Sequence, residues 1–200
     1  MSALTSGFAA EKGAELALAD DTGTRSWAEF DERVNRLIHS FRDAGIGSGD
    51  TIAVVAGNCN EWFETAFACA SGGIVFVPVN WHLVAAELAY IIGDSGSKAV
   101  IVGHQFHDEV AKALDDERCS AVELAVVIGA PGDDRFQNFD DFVAAGSPDE
   151  PESQSFGGPM FYTSGTTGNP KGVRGSLTNM PEGADPSIWQ LIGGGFAEQV

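Results

Sequence analysis

Four short apolar runs constrain the fold of this chain more than any other feature of its sequence. Each run spans five to seven residues and lacks the alternation of polar and apolar residues that marks a strand with one solvent face. Such strands are buried on both faces, which is typical of a parallel sheet covered by helices. The runs are 51–56, 74–79, 98–102 and 122–128.

A helix is predicted immediately before the first apolar run. Ser26 and Glu29 form a capping-box signature, because the serine can accept from the third helical amide while the glutamate reaches back to the cap. Apolar residues then recur at spacings of three and four over 27–44, and Gly45 marks the end of the helix. The first unit is therefore a helix that leads into a buried strand.

The same alternation continues along the chain. Asn60 is predicted to cap a second helix that ends near residue 70, before Gly72 and Gly73. Two further helices are predicted, over 85–92 and 108–114. We expect an α/β fold with a mostly parallel sheet covered by helices on both faces.

The helix and strand patterns weaken over 129–158. This segment contains runs rich in Gly, Pro and acidic residues and only one short apolar stretch, near 139–144. We expect a connecting segment that lies mostly on the surface.

Charge excludes several classes of partner. The formal net charge is -18 and the isoelectric point is near 4.3, which opposes binding to nucleic acid or to an anionic membrane surface. Thirteen acidic residues lie between Asp108 and Glu152 against three basic ones, and a solvated acidic face explains them better than a metal site. The partners we expect are small molecules.

The sequence also predicts a cytoplasmic protein. It has no uninterrupted apolar run of about 18 residues and no basic-then-apolar leader at its start. Its three cysteines show no metal-ligand or CxxC spacing, which is typical of a reducing compartment. Cys69 is expected in the core, and Cys59 is expected to be partly exposed before a helix.

Residues 163–172, TSGTTGNPKG, carry the chemistry. Three glycines permit positive φ and close approach, so that successive backbone amides can turn toward one anion. Four hydroxyl side chains add donors, Lys171 adds a positive charge, and Arg174 can add a second. An ordinary surface turn is the alternative, but this density of donors after an apolar strand favours a phosphate site.

This motif is not a Walker A loop. The position that GxxxxGK[ST] reserves for its second glycine is Pro170 when counted from Gly165, and Val173 when counted from Gly168. P-loop nucleoside triphosphatases are therefore disfavoured.

The segment YTSGTTGNPKG, residues 162–172, closely resembles the signature loop of the adenylate-forming superfamily. Residues 16–173 also resemble the N-terminal part of its acyl-CoA synthetase branch. The resemblance implies that ATP phosphates are surrounded by Thr163, Ser164, Gly165, Thr166, Thr167, Gly168 and Lys171.

Two positions depart from the family pattern. Asn80 falls in the PxN stretch that follows a buried strand, but His82 stands where an arginine is often found. The VRGS sequence after Gly172 lacks a histidine that is frequent there. These departures concern the branch and the acyl substrate rather than the loop.

The resemblance implies a two-step ligase. ATP with Mg²⁺ would activate a carboxylic acid, with a fatty acid expected, and coenzyme A would then displace AMP. The chain is expected to be the N-terminal portion of an AMP-binding domain over 1–200, without the C-terminal domain and inactive alone. No catalytic or metal-binding residue is expected within it, and an incompletely covered core would favour self-association.

Two other functions stay open. A non-catalytic nucleotide-binding or scaffold remnant would keep the fold without the chemistry. A flavodoxin-like nucleotide sensor fits the sheet but explains the motif poorly.

Overall fold

The computed structural model describes residues 5–163 and 169–174. The helices are α1 (Ser6–Lys12), α2 (Trp27–Asp43), α3 (Asn60–Gly72), α4 (Ala85–Asp94), α5 (His107–Ala113) and α6 (Phe139–Ala145). The strands are β1 (Leu16–Asp20), β2 (Gly23–Ser26), β3 (Thr51–Val55), β4 (Val75–Pro78), β5 (Ala99–Gly103), β6 (Leu124–Ile128), β7 (Gln137–Asn138), β8 (Gly158–Thr163) and β9 (Lys171–Arg174).

Within these residues, seven strands form one sheet in the order β7-β6-β5-β3-β4-β8-β9. Every neighbouring pair is parallel except β8 and β9, which are antiparallel. The four strands predicted from apolar runs are the four adjacent strands β6, β5, β3 and β4. The predicted α/β class with a mostly parallel sheet is confirmed.

Helices cover both faces of the sheet, as the lack of alternation predicted. Ile52 and Val54 of β3 pack into the core layer that includes residues of α2, α3 and α6. Ala53 and Val55 pack into the opposite layer, which includes residues of α4 and α5. Since every residue of β3 is buried, neither face of this strand is exposed to solvent.

The ends of α2 follow local sequence signals. The Glu29 amide donates to Ser26 Oγ at 3.3 Å, and the Ser26 amide donates to Glu29 Oε2 at 2.8 Å. This is the predicted capping box, and α2 begins and ends within one residue of the predicted 27–44.

The start of α3 corrects one prediction. Cys59 is the cap, and Asn60 is the first helical residue. The Asn60 amide is instead satisfied by Asp20 Oδ2 at 2.8 Å, from the β1–β2 hairpin. The helix also runs two residues beyond the predicted end, and Gly73, with φ 76°, closes it in the left-handed conformation that glycine tolerates.

The β1–β2 hairpin was not predicted, and charged groups hold it to the helices. Arg25 Nε donates to Glu64 Oε1 at 3.1 Å, and Arg33 Nε donates to the same oxygen at 2.7 Å. Glu64 is fully buried in α3. Burial raises the pKa of this carboxyl, and the positive charge of Arg33 opposes that rise.

The segment 129–158 contributes more to the core than predicted. It forms β7, which extends the sheet beside β6, and α6, which packs beneath α2. Its apolar stretch was recognised, but the expectation of a mostly surface segment missed an edge strand and a group of buried side chains, namely Phe136, Phe139, Phe142 and Val143.

Side chains of α2 also bind the backbone of this segment. Arg42 donates to the carbonyl oxygens of Glu152 and Ser153, each at 2.9 Å. Ser40 Oγ donates to the Phe142 carbonyl oxygen at 2.7 Å. Carbonyl groups of α6 and of the irregular backbone that follows it are thereby satisfied without a strand partner.

None of the helices in the described ranges is long and apolar enough to cross a membrane.

Asp20 generates a prediction about stability and pH. Burial would raise the pKa of this carboxyl, but hydrogen bonds from the Thr22 hydroxyl and from three backbone amides lower it to about 2. Because the folded pKa lies below the ordinary value of 3.8, the stabilisation is present above about pH 4 and is lost as the pH falls toward 2.

We expect Asp20→Asn to lower the free energy of unfolding at pH 7 by about 1 kcal/mol, a value discounted for solvent screening. The difference from the unsubstituted chain should shrink as the pH falls from 4 toward 2. Urea unfolding at several pH values measures this, with Asp21→Asn at an exposed neighbouring carboxyl as the control. An equal effect of the two substitutions would contradict the prediction.

Candidate nucleotide site

The candidate site lies at one end of the central sheet. β8 runs parallel to β4, with Val75 opposite Gly158 and Phe76 opposite Pro159. Thr163, the first residue of the motif, is the last residue of β8, so it lies at the edge formed by the carboxyl ends of the parallel strands. This edge is where open α/β sheets bind ligands.

β8 and β9 form a two-stranded ribbon that brings the two ends of the motif together. Thr163 and Lys171 are paired across the ribbon, and both are exposed. Of the expected phosphate contacts, these two lie in the described part of the chain. The remaining five, Ser164, Gly165, Thr166, Thr167 and Gly168, lie outside the described residues.

Positive charge is available at the ribbon. Lys171 is exposed, and no carboxylate in 5–163 or 169–174 forms an ion pair with it. Arg174, opposite Met160 in the same ribbon, is also exposed. In a chain with a net charge of -18, a lysine in a glycine-rich motif that has no ion-pair partner among the described residues is suited to bind an anion.

Helix α4 binds strand β8 and Pro170, the residue that precedes β9. Tyr162 Oη donates to Asp94 Oδ2 at 2.6 Å, and Tyr90 Oη donates to the Pro170 carbonyl oxygen at 3.0 Å. Burial, followed by the Asp94 hydrogen bond and charge, raises the pKa of Tyr162. The phenol of Tyr162 therefore keeps its proton at neutral pH and donates the hydrogen bond to Asp94. Sequence reasoning missed these contacts, although the four-residue spacing of Tyr90 and Asp94 places both on one helix face.

The absence of a side chain at Gly172 leaves room for the Tyr162 ring. The two residues are paired across the ribbon, and a Cβ added to Gly172 would lie 3.1 Å from Tyr162 Cζ and would also contact Met160 Cε. A glycine opposite an aromatic residue lets the ring lie across the neighbouring strand. The glycine therefore serves the ribbon as well as the motif.

A second loop reaches the same edge after β4. Asn80 Oδ1 accepts from the His82 amide at 3.0 Å, so the asparagine side chain closes a local turn. Trp81 stacks on Phe106 with ring centroids 5.0 Å apart. The His82 side chain is exposed, and its ring lies against that of Trp81.

The cysteines offer no nucleophile in the described part of the chain. Cys69 is fully buried, as predicted, and burial raises the pKa of its thiol. Burial also raises the pKa of the partly exposed Cys59 to about 12. Both groups are thiols rather than thiolates near neutral pH.

Comparison with known families gives one long match. The family model described as AMP-binding enzyme matches residues 7–190. This range includes the sheet, the ribbon and the second loop.

Two curated relatives match most of the chain. The fatty acid–[acyl-carrier-protein] ligase ScoC of Streptomyces coeruleorubidus is 32% identical over 153 residues, which cover 75% of this chain and 28% of that protein. A feruloyl-CoA synthase of an Amycolatopsis species is 35% identical over 156 residues, which cover 76% of this chain and 29% of that protein. The chain therefore spans less than a third of the length of these relatives.

A solved structure shares the fold. The anthranilate CoA ligase AuaEII, in complex with anthranoyl-AMP, superposes with a TM-score of 0.81 at 20% identity, covering 88% of this chain and 34% of that one. At this identity the match concerns the arrangement of strands and helices alone. It agrees with a mostly parallel sheet covered by helices.

Proposed function

Because the chain belongs to the family of AMP-binding enzymes, we propose that it takes part in the ATP-dependent activation of a carboxylic acid. One observation carries the proposal: the β8–β9 ribbon pairs Thr163 with Lys171 at the carboxyl edge of the sheet. This pairing sets the two ends of a motif rich in glycine and hydroxyl groups beside each other. A triphosphate bound there would meet amides, hydroxyls and a lysine.

In the proposed reaction a carboxylate oxygen attacks the α-phosphorus of ATP, giving an acyl-adenylate and pyrophosphate. Coenzyme A sulfur then attacks the acyl carbon and releases AMP. Lys171 and the motif would stabilise the negative charge that develops on the phosphate oxygens. Mg²⁺ would be expected to neutralise part of the phosphate charge.

We propose a fatty acid as the acyl substrate, in line with the name of the Streptomyces relative. The aromatic acids named by the other two proteins are the alternative. We also propose that residues 1–200 are the N-terminal portion of the adenylate-forming domain, with 129–158 as a connecting segment and 162–172 as the phosphate loop. The free thiols suit a reducing compartment, and we propose the cytoplasm.

The first prediction concerns the source of nucleotide affinity. We expect ATP with Mg²⁺ to bind more tightly than ADP, and ADP more tightly than adenosine, because the motif contacts phosphates. Lys171→Met should weaken ATP binding about tenfold, because it removes one charge-assisted contact to phosphate. It should leave the affinity for adenosine unchanged.

Isothermal titration of the three ligands measures these affinities. Lys12→Met, at an exposed lysine of α1, is the matched control and should bind ATP as the unsubstituted chain does. Equal affinity for ATP and adenosine would remove the phosphate-loop hypothesis.

The second prediction concerns turnover by the 200-residue chain. The chain spans less than a third of the two curated relatives, so we expect no AMP above background from ATP, coenzyme A and fatty acids of several lengths. Quantifying AMP by chromatography tests this, and robust AMP formation would show that the essential groups lie within the chain.

A non-catalytic remnant is the alternative function, and the gene distinguishes the two hypotheses. Sequencing beyond the codon for Val200 is sufficient. A reading frame that continues supports the ligase, and an immediate stop codon supports the remnant.

The third prediction concerns self-association through the ribbon. Val173 lies on β9, the outermost strand of the described sheet, and is paired with Phe161 of β8. Their side chains are 53% and 52% exposed. Apolar side chains on a strand edge favour pairing with another copy. We expect concentration-dependent association in sedimentation equilibrium, which Val173→Lys should weaken.

Leu16→Lys is the matched control for this substitution, because Leu16 is 63% exposed and belongs to the separate β1–β2 hairpin. It should leave association unchanged. A monomer at all concentrations would contradict the proposed self-association.

A further inference from the structure

We infer that helix α4 positions the β8–β9 ribbon, which carries Thr163 and Lys171, with Tyr90 and Asp94 as the positioning residues. The inference rests on the proposed function for its purpose, and on two hydrogen bonds for its geometry. Neither residue belongs to the motif, and both are distant from it in sequence.

The ribbon needs support because its pairing with the rest of the sheet is short. The ladder between β4 and β8 ends at the pair Phe76–Pro159. From Met160 to Thr163, β8 has its described ladder partner in β9 alone. A two-stranded ribbon is marginally stable by itself in water, so contacts from outside the ribbon decide its position.

The two hydrogen bonds between α4 and this region involve β8 and Pro170, the motif residue that precedes β9. Tyr162, which donates to Asp94, lies one residue before Thr163. Pro170, whose carbonyl oxygen accepts from Tyr90, lies one residue before Lys171. Because Thr163 and Lys171 are paired across the ribbon, α4 contacts the residue immediately before each member of that pair.

Helix α4 is itself held by the core, which makes it a rigid support. The residues on its inner side, Leu88, Ala89, Ile91 and Ile92, are buried in the layer below the sheet. Tyr90 and Asp94 are four residues apart and project from one face. Core packing thus fixes α4, and α4 positions the ribbon through β8 and Pro170.

The test uses substitutions that remove one hydroxyl each and change no charge. In the nucleotide-free chain, Tyr90→Phe and Tyr162→Phe should raise hydrogen–deuterium exchange at residues 160–163 and 171–174 about tenfold. Exchange in β3 and β5 should stay unchanged. Thr24→Val, which removes an exposed hydroxyl from β2, is the matched control and should leave exchange in the ribbon unchanged.

Two variants test Asp94: a conservative one that keeps a hydrogen-bond acceptor and one that removes it. Asp94→Asn keeps an oxygen that can accept from Tyr162, so exchange in the ribbon should stay near that of the unsubstituted chain. Asp94→Ala removes the acceptor and should behave like Tyr162→Phe. Asp94→Ala in the Tyr162→Phe background should add nothing, since both changes break the same hydrogen bond.

Nucleotide titration links this support to the phosphate loop. Tyr90→Phe and Tyr162→Phe should weaken ATP binding several-fold and leave adenosine binding and the urea midpoint unchanged. A general loss of structure would instead lower the midpoint and raise exchange throughout the sheet.

The outcomes separate this inference from the proposed function. If ribbon exchange responds as expected but the unsubstituted chain binds ATP no better than adenosine, the phosphate function fails and the support by α4 stands. Unchanged ribbon exchange in both tyrosine variants overturns the inference, whatever the nucleotide result. A uniform rise in exchange with a lower urea midpoint overturns it as well.

Discussion

Burial of the central strands on both faces is the constraint on which the rest of the structure depends. Ile52 and Val54 need one layer of helices, and Ala53 and Val55 need another, so helices must cross the sheet between parallel strands. Parallel strands place all their carboxyl ends at one edge. The ribbon and the loop after β4 both lie at that edge because of this order of connections, and the proposed nucleotide site depends on the same packing.

Signals contained in a few neighbouring residues predicted the structure well, and contacts between distant residues did not. The capping box of Ser26 and Glu29 spans four residues, and it forms as expected. The cap of α3 was misassigned because Asp20, forty residues away, satisfies the Asn60 amide. The interior position of α6 was missed for a similar reason. Its sequence is a short apolar stretch between polar segments, and nothing in that stretch indicates that α2 covers it.

At the candidate site, too, the local motif could be recognised from the sequence and the contacts between distant residues could not. The composition of 163–172 predicts a phosphate motif, and the ribbon pairs Thr163 with Lys171, so the two ends of that stretch are adjacent. The contacts of Tyr90 with Pro170 and of Asp94 with Tyr162 join residues 80 and 68 positions apart, and sequence periodicity carries no such information. Family resemblance likewise marks the motif without showing what holds it in place.

Amide chemical shifts recorded while inorganic tripolyphosphate is added test the central claim most directly, because this probe carries no adenine or ribose. We expect saturable shifts that are largest within residues 163–172, next in the adjoining ribbon and in α4 beside it, and strongly reduced in Lys171→Met. Shifts that are scattered over other basic residues, such as Arg118 and Arg135, with the motif unaffected, would contradict it.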